Sequence, residues 1–166
     1  MKPIDVLEEA DARKRHIAGE EYAAVCSEDG DMKYVVEILP NCIFVKFLDE
    51  TKNMHLLYLF HRKNKKDLFL SSVYYYGYTS GGTKETEIIT FRFWENGKLC
   101  MEREDRINGE VEERESVVDV SCNWDQFPEF GKYEHLLAKE RRNTIHNLVK
   151  RNNGKSASTN KLSNEK

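Results

Sequence analysis

From residue 20 to residue 120 the chain is cut by turn signals at roughly ten- to fourteen-residue spacing, and no gap between them is long enough for a parallel crossover. Between the turns stand EYAAVCS, MKYVVEIL, CIFVKFLD, MHLLYLF, LFLSSVYYYGYT, TEIITFRFW, KLCMEREDRI and EVEERESVVDV. These runs are rich in β-branched and aromatic residues or alternate in polarity, as strands do. EDGD, LPN, DETKN, HRKNKKD and SGGTKE separate the first six. Asn96-Gly97 and Asn108-Gly109 separate the last three, and Asn-Gly predicts type I′ hairpin turns because both residues tolerate positive φ. Each run therefore pairs antiparallel with the next. The predicted fold is mainly β with flanking helices (α+β), an antiparallel up-and-down meander of about eight strands. Long consecutive strands curl, so the sheet is expected to be barrel-like or strongly curved. A half-open sheet wrapped around a helix is the competing shape.

A helix is predicted at each end. Ile4 to Ile17 places Ile4, Leu7, Ala10 and Ile17 at helical spacing. Lys132 to Arg151 gathers Tyr133, Leu136, Leu137, Thr144, Ile145, Leu148 and Val149 on one side. Residues 152–166 are small and polar without aromatics, which predicts a disordered tail behind a single domain of residues 1–151. Ahead of the second helix, SCNWDQFPEFGKYEHLLAKERR spaces Trp124, Phe127, Phe130 and Tyr133 three apart. Pro128 and Gly131 interrupt any helix there, and Asn123 or Asp125 suits the cap of a short turn. The rings are expected to act as successive anchors across one end of the sheet, with ligand contact as the alternative.

Charge is unevenly spread. Residues 132–166 hold nine Lys/Arg against three acids, net +6, while residues 1–131 hold 17 bases and 26 acids, net −9. An acidic body is a poor surface for nucleic acid, whose affinity comes from neutralised phosphates, and suits a basic protein better. The basic HRKNKK loop is too small a footprint to alter that. No apolar run reaches the roughly 18 residues that span a bilayer, and the N-terminus lacks a secretory apolar core. A cytoplasmic, non-membrane protein is expected. Cys26, Cys42, Cys100 and Cys122 form no C-x-x-C pair and read as reduced, mostly buried thiols.

Motifs for chemistry are sparse. His16, His55, His61, His135 and His146 form no two-ligand spacing, so no metal is expected. There is no nucleophile elbow, and the glycine-rich SGGTKET leads into a strand where a phosphate loop needs a helix. Neither a cofactor nor an enzymatic function is expected. The densest feature is EREDRINGEVEERE, with seven acids and three arginines. Its candidate partner-binding residues are Glu102, Glu104, Asp105, Glu110, Glu112, Glu113 and Glu115, joined by Tyr74 and Tyr76 of the SSVYYYGYT run. The same acids also fit a solvated hairpin with cross-strand pairs to Arg103, Arg106 and Arg114, or carboxylates paired for acid–base work. Alternation puts Tyr74 and Tyr76 on one face with Ser72 and Tyr78, and Val73 and Tyr75 on the other.

The acidic meander, its acid-rich hairpin and the N-W-x-x-F-P-E-F-G-K-Y segment running into a helix resemble the immunity proteins of bacterial contact-dependent growth inhibition and related polymorphic-toxin systems. The general character of residues 1–150 carries the resemblance, most specifically Asn123 to Leu137. It implies a non-enzymatic cytoplasmic protein that binds and neutralises a cognate toxin domain, often a basic nuclease, and it carries over no individual contact residue. The alternative is a lipocalin-like small-molecule-binding barrel, in which Tyr74, Tyr76, Phe91 and Phe93 would line a cavity. An enzymatic barrel would need convergent polar groups inside, for which Thr90 and Arg92 are the only hint.

Overall fold

The computed structural model describes residues 7–138. Eight strands follow one another across one sheet: β1 (Tyr22–Glu28), β2 (Asp31–Ile38), β3 (Cys42–Leu48), β4 (Met54–Arg62), β5 (Asp67–Tyr78), β6 (Glu85–Phe93), β7 (Lys98–Asp105) and β8 (Val111–Val117). Every neighbouring pair is antiparallel, as the short connections require. The sheet does not close into a barrel: among the described residues β1 pairs only with β2 and β8 only with β7. Register shifts at Cys26/Ser27, Phe47/Leu48, Leu59/Phe60 and Gly77/Tyr78 bend the strands without bringing the two edges together.

The Asn-Gly hairpins differ from expectation. Only Gly97 and Gly109 have positive φ there, not Asn96 or Asn108. In the first turn the Gly97 N–H donates to the Trp94 carbonyl (2.9 Å) and the Asn96 side-chain oxygen accepts the Lys98 N–H (3.1 Å). This makes a three-residue loop of type I ending in a left-handed glycine. A side chain that captures the backbone two residues on favours such a turn over the I′ form. The two-residue I′ turn is instead at Asp29-Gly30, with φ of 53° and 79°. Gly97 is indispensable: at φ +86° an added Cβ would lie 2.8 Å from the Val118 carbonyl oxygen.

One sheet face forms the core. Across the sheet, Val36, Val45, Tyr58, Val73, Phe91 and Met101 stand opposite one another in register, and all are buried. Phe47, Tyr58 and Phe60 meet edge-to-face on the same side, the geometry that ring quadrupoles favour. Tyr74 and Tyr76 pair with Thr90 and Ile88, whereas Phe91 pairs with Val73. The four rings that a ligand cavity would need are thus divided between opposite faces.

Helix α1 (Glu9–Ala18) ends where Gly19 turns left-handed. Of its predicted apolar positions, Ala10 and Ile17 are exposed, Ile17 to 80%, and no residue of α1 is buried. Arg13 and His16 make the contacts instead, and the C-terminal aromatics receive them. After a 3-10 turn at Ser121–Asn123, β9 (Trp124–Gln126) pairs with Asp67–Phe69 of β5, beyond the point where β6 leaves that strand. Asn123 does not cap this turn; it is buried, and its side-chain amide donates to the Leu70 carbonyl (2.9 Å). Trp124 lies against Phe69 at 5.0 Å between ring centroids, and Phe127 sits between the His16 ring (5.6 Å) and the Arg62 guanidinium (4.0 Å). Phe130 meets His16 and Tyr22, with Arg13 over its face. The Tyr133 hydroxyl is 3.0 Å from that of Tyr22, and Leu136 is fully buried. Phe127, Phe130 and Tyr133 act as successive anchors, as expected, whereas Trp124 rests on Phe69 but stays 41% exposed. Of the C-terminal helix predicted over Lys132–Arg151, the described part is a 3-10 turn at Glu134–Leu137; its remainder, the predicted tail and the domain boundary at residue 151 lie outside the described residues, as does the start of the predicted N-terminal helix.

His16 is the titratable centre of this latch. Its Nδ1 is 2.8 Å from the Tyr22 hydroxyl. Burial lowers its pKa from the ordinary value, and the Arg62 and Arg13 charges push the same way. The native state therefore holds fewer protons than the unfolded chain just below about pH 6.5, so stability falls as pH drops through that value and is complete above it. His16→Gln is expected to flatten the stability profile between about pH 7 and 5.5, read from urea midpoints. An unchanged slope would place the ring outside the latch.

Candidate functional site

The second sheet face carries the acids. Because the register runs unbroken from residues 72–77 of β5 across β6 and β7 to β8, side chains directly opposite one another share a face. Tyr74, Thr90, Glu102 and Glu113 form one row, and Ser72, Arg92, Cys100 and Glu115 the next. Tyr76, Ile88, Glu104 and Val111 form a third. Six of the nine predicted site residues therefore come together: Tyr74, Tyr76, Glu102, Glu104, Glu113 and Glu115.

The other three do not join them. Glu112 stands opposite Arg103 on the core side of the sheet, where Arg114 binds it at 3.3 Å. Asp105 holds the β7–β8 turn together, its carboxylate accepting from the Ile107 N–H (2.7 Å) and from the Asn108 backbone and side chain (3.0 and 2.8 Å). These donors lower its pKa, as expected when hydrogen bonds favour the charged form. Glu110 lies in that turn and gives its carbonyl to the Asp105 N–H (2.8 Å). The nine thus divide into a face of six, two residues of the turn beside it and Glu112 on the opposite face.

Cations moderate the face. Arg92 reaches Glu102 at 3.3 Å, Arg106 reaches Glu104 at 3.0 Å and Lys98 reaches Glu115 at 2.7 Å. Arg103 turns to Glu87 (3.0 Å). Glu113 instead accepts from the Cys100 thiol at 3.2 Å. Burial and that carboxylate raise the Cys100 pKa, so this sulfur stays protonated as a donor. Among the described residues neither Glu110 nor Glu113 makes an ion pair within 4 Å, although the Glu113 charge is felt at Lys98. Such exposed pairs contribute little to stability individually; their effect is to fix side-chain positions and reduce the charge offered to solvent.

Arg92, Lys98 and Cys100 are members of this face that reading the acids alone does not find. The alternation in KLCMERED marks them, since Lys98, Cys100, Glu102 and Glu104 point one way. Of the thiols, Cys100 is buried, Cys26 and Cys42 are half-buried and Cys122 is exposed, so the expectation of mostly buried cysteines holds only in part.

A shallow cavity of about 380 Å³ lies elsewhere, over the Asp125–Glu129 segment beside Lys132 and His135. Its polar groups are engaged locally: His135 Nε2 is 3.0 Å from the Gln126 carbonyl oxygen, and Lys132 pairs with Glu129 at 2.6 Å. Among the described residues no three His, Cys, Asp or Glu side chains gather as a metal site, and no helix is long and apolar enough to cross a membrane. No family model, curated protein or solved structure matches the chain.

Proposed function

We propose that this chain is a non-enzymatic immunity protein that binds and neutralises a cognate toxin domain, a basic nuclease or similar cationic polypeptide, in the cytoplasm. The observation that carries the reading is the gathering of Tyr74 and Tyr76 with Glu102, Glu104, Glu113 and Glu115 on one face. Aromatic anchors beside a charged rim are the usual composition of energetic centres in protein interfaces. Carboxylates held in position by Arg92, Arg106 and Lys98 complement a basic partner and accelerate its encounter.

Affinity capture with tagged protein from its source cells, followed by mass spectrometry, supplies the partner for the test. A stoichiometric basic polypeptide is expected, together with protection of growth when the two are co-expressed. Glu110→Lys combined with Glu113→Lys should slow its association about tenfold or more at low salt and leave the melting temperature unchanged. Recovery of a reproducible small molecule with no polypeptide, or association that ignores both reversals, would overturn the reading.

A further inference from the structure

The last strand of the meander carries an observation that the face alone does not use. β8 pairs with β7 on one side, and among the described residues no strand lies on the other. Its backbone direction follows from the flanking bonds. The Asp105 N–H donates to the Glu110 carbonyl (2.8 Å) and the Val118 N–H to the Gly97 carbonyl (2.9 Å). Antiparallel ladders alternate, so Glu112, Arg114 and Ser116 bond inward to β7, while the N–H and C=O groups of Val111, Glu113, Glu115 and Val117 point outward.

The side chains of those same four residues lie on the acidic face. Val111 and Val117 are 63% and 81% exposed, and they bracket Glu113 and Glu115. An unpaired edge is a template for another strand. The opposite edge is less open, since Tyr22 of β1 is held by His16 of α1 and by Tyr133.

We infer that β8 is a docking edge for an extended basic segment of the partner protein, which adds as a further strand with apolar, basic, basic and apolar residues at alternate positions. Charge selects this occupant over a second copy. Antiparallel self-pairing centred on Arg114 would set Arg114 against itself and Glu113 against Glu115. Shifting the centre to Glu113 or to Glu115 sets that acid against its own copy. Like charges directly opposite are destabilising, whereas a Lys opposite each Glu would be favoured. The inference rests on the immunity reading for its biological partner and specifies how that partner is held.

The test uses the full chain, isotope-labelled for amide NMR, and the capped peptide Val-Thr-Lys-Thr-Lys-Thr-Val as probe. Binding should shift the amides of Val111, Glu113, Glu115 and Val117 most and slow their hydrogen exchange. A peptide of the same composition with its lysines adjacent should bind at least several-fold more weakly, and so should the designed peptide with the alternate amides N-methylated. Glu115→Pro removes one outward N–H from an edge position that tolerates proline, and is expected to abolish the shifts while the inward ladder stays protected. Glu115→Gln keeps that N–H and should lose only part of the affinity, so a folding defect in the proline variant cannot decide the matter. Three outcomes would overturn the inference: shifts confined to Tyr74 and its neighbours or to β1, a concentration-dependent dimer in sedimentation, or outward amides already protected in the free protein. None of these would touch the capture and charge-reversal result, so the two readings fail separately.

Discussion

Phe91→Ala is expected to lower the unfolding free energy by about 3–5 kcal/mol. The ring is fully buried on the core face, between Val73 of β5 and Met101 of β7. Ladders on both sides of β6 hold the backbone in place, so the void left by the ring cannot collapse. A domain of this size has about 5–15 kcal/mol in total, and the variant should stand near the limit of folding. Urea titration is the measurement, with a lower midpoint and an unchanged slope expected. Phe91→Leu, which keeps most of the volume, should lose less and remains measurable if the alanine variant does not fold. A loss below the transfer contribution of about 1.5 kcal/mol would mean that the ring faces open space. The small-molecule reading would then regain its footing.

Leu136→Ala should cost about 2–5 kcal/mol, although the residue lies after the last strand, in a single 3-10 turn. Its side chain is fully buried, and its N–H bonds the Tyr133 carbonyl at 3.0 Å. Tyr133 is itself tied to Tyr22, so the turn is part of the folded body. Val117→Ala is the control: 81% exposed, it should stay within about 0.5 kcal/mol of the parent. Equal midpoints for the two variants would show that the latch frays. Deleting residues 152–166 should leave the midpoint where it is, and a large fall would show that this segment docks.

The order and direction of the strands were legible because turn chemistry is local and the intervening loops are short. Closure was not, since it depends on how far the register staggers around the whole sheet, which no single run encodes. Helix α1 misled because its contacts come from Arg13 and His16 over aromatic rings, and a search for apolar periodicity passes over both. The candidate site was half legible. Alternation alone puts Tyr74 and Tyr76 together, but the acids that join them depend on the β6–β7 turn. A two-residue turn at Asn96-Gly97 would have set Thr90 opposite Arg103; the three-residue loop sets it opposite Glu102. A slip of one residue exchanges the two faces of a strand, and here it decides whether the tyrosines lie beside acids or beside an arginine.

The hydroxyl contact between Tyr22 and Tyr133 joins positions 111 residues apart, whereas each hairpin of the meander joins neighbours. During synthesis the hairpins can zip in order as they leave the ribosome, because their contacts are local. The latch cannot close until the chain has emerged past residue 136. A nascent chain stalled before that point is expected to hold a sheet that still opens readily to protease, and one released a few tens of residues later to resist it. Completion of this fold is therefore timed by its last anchor, whichever strand forms first.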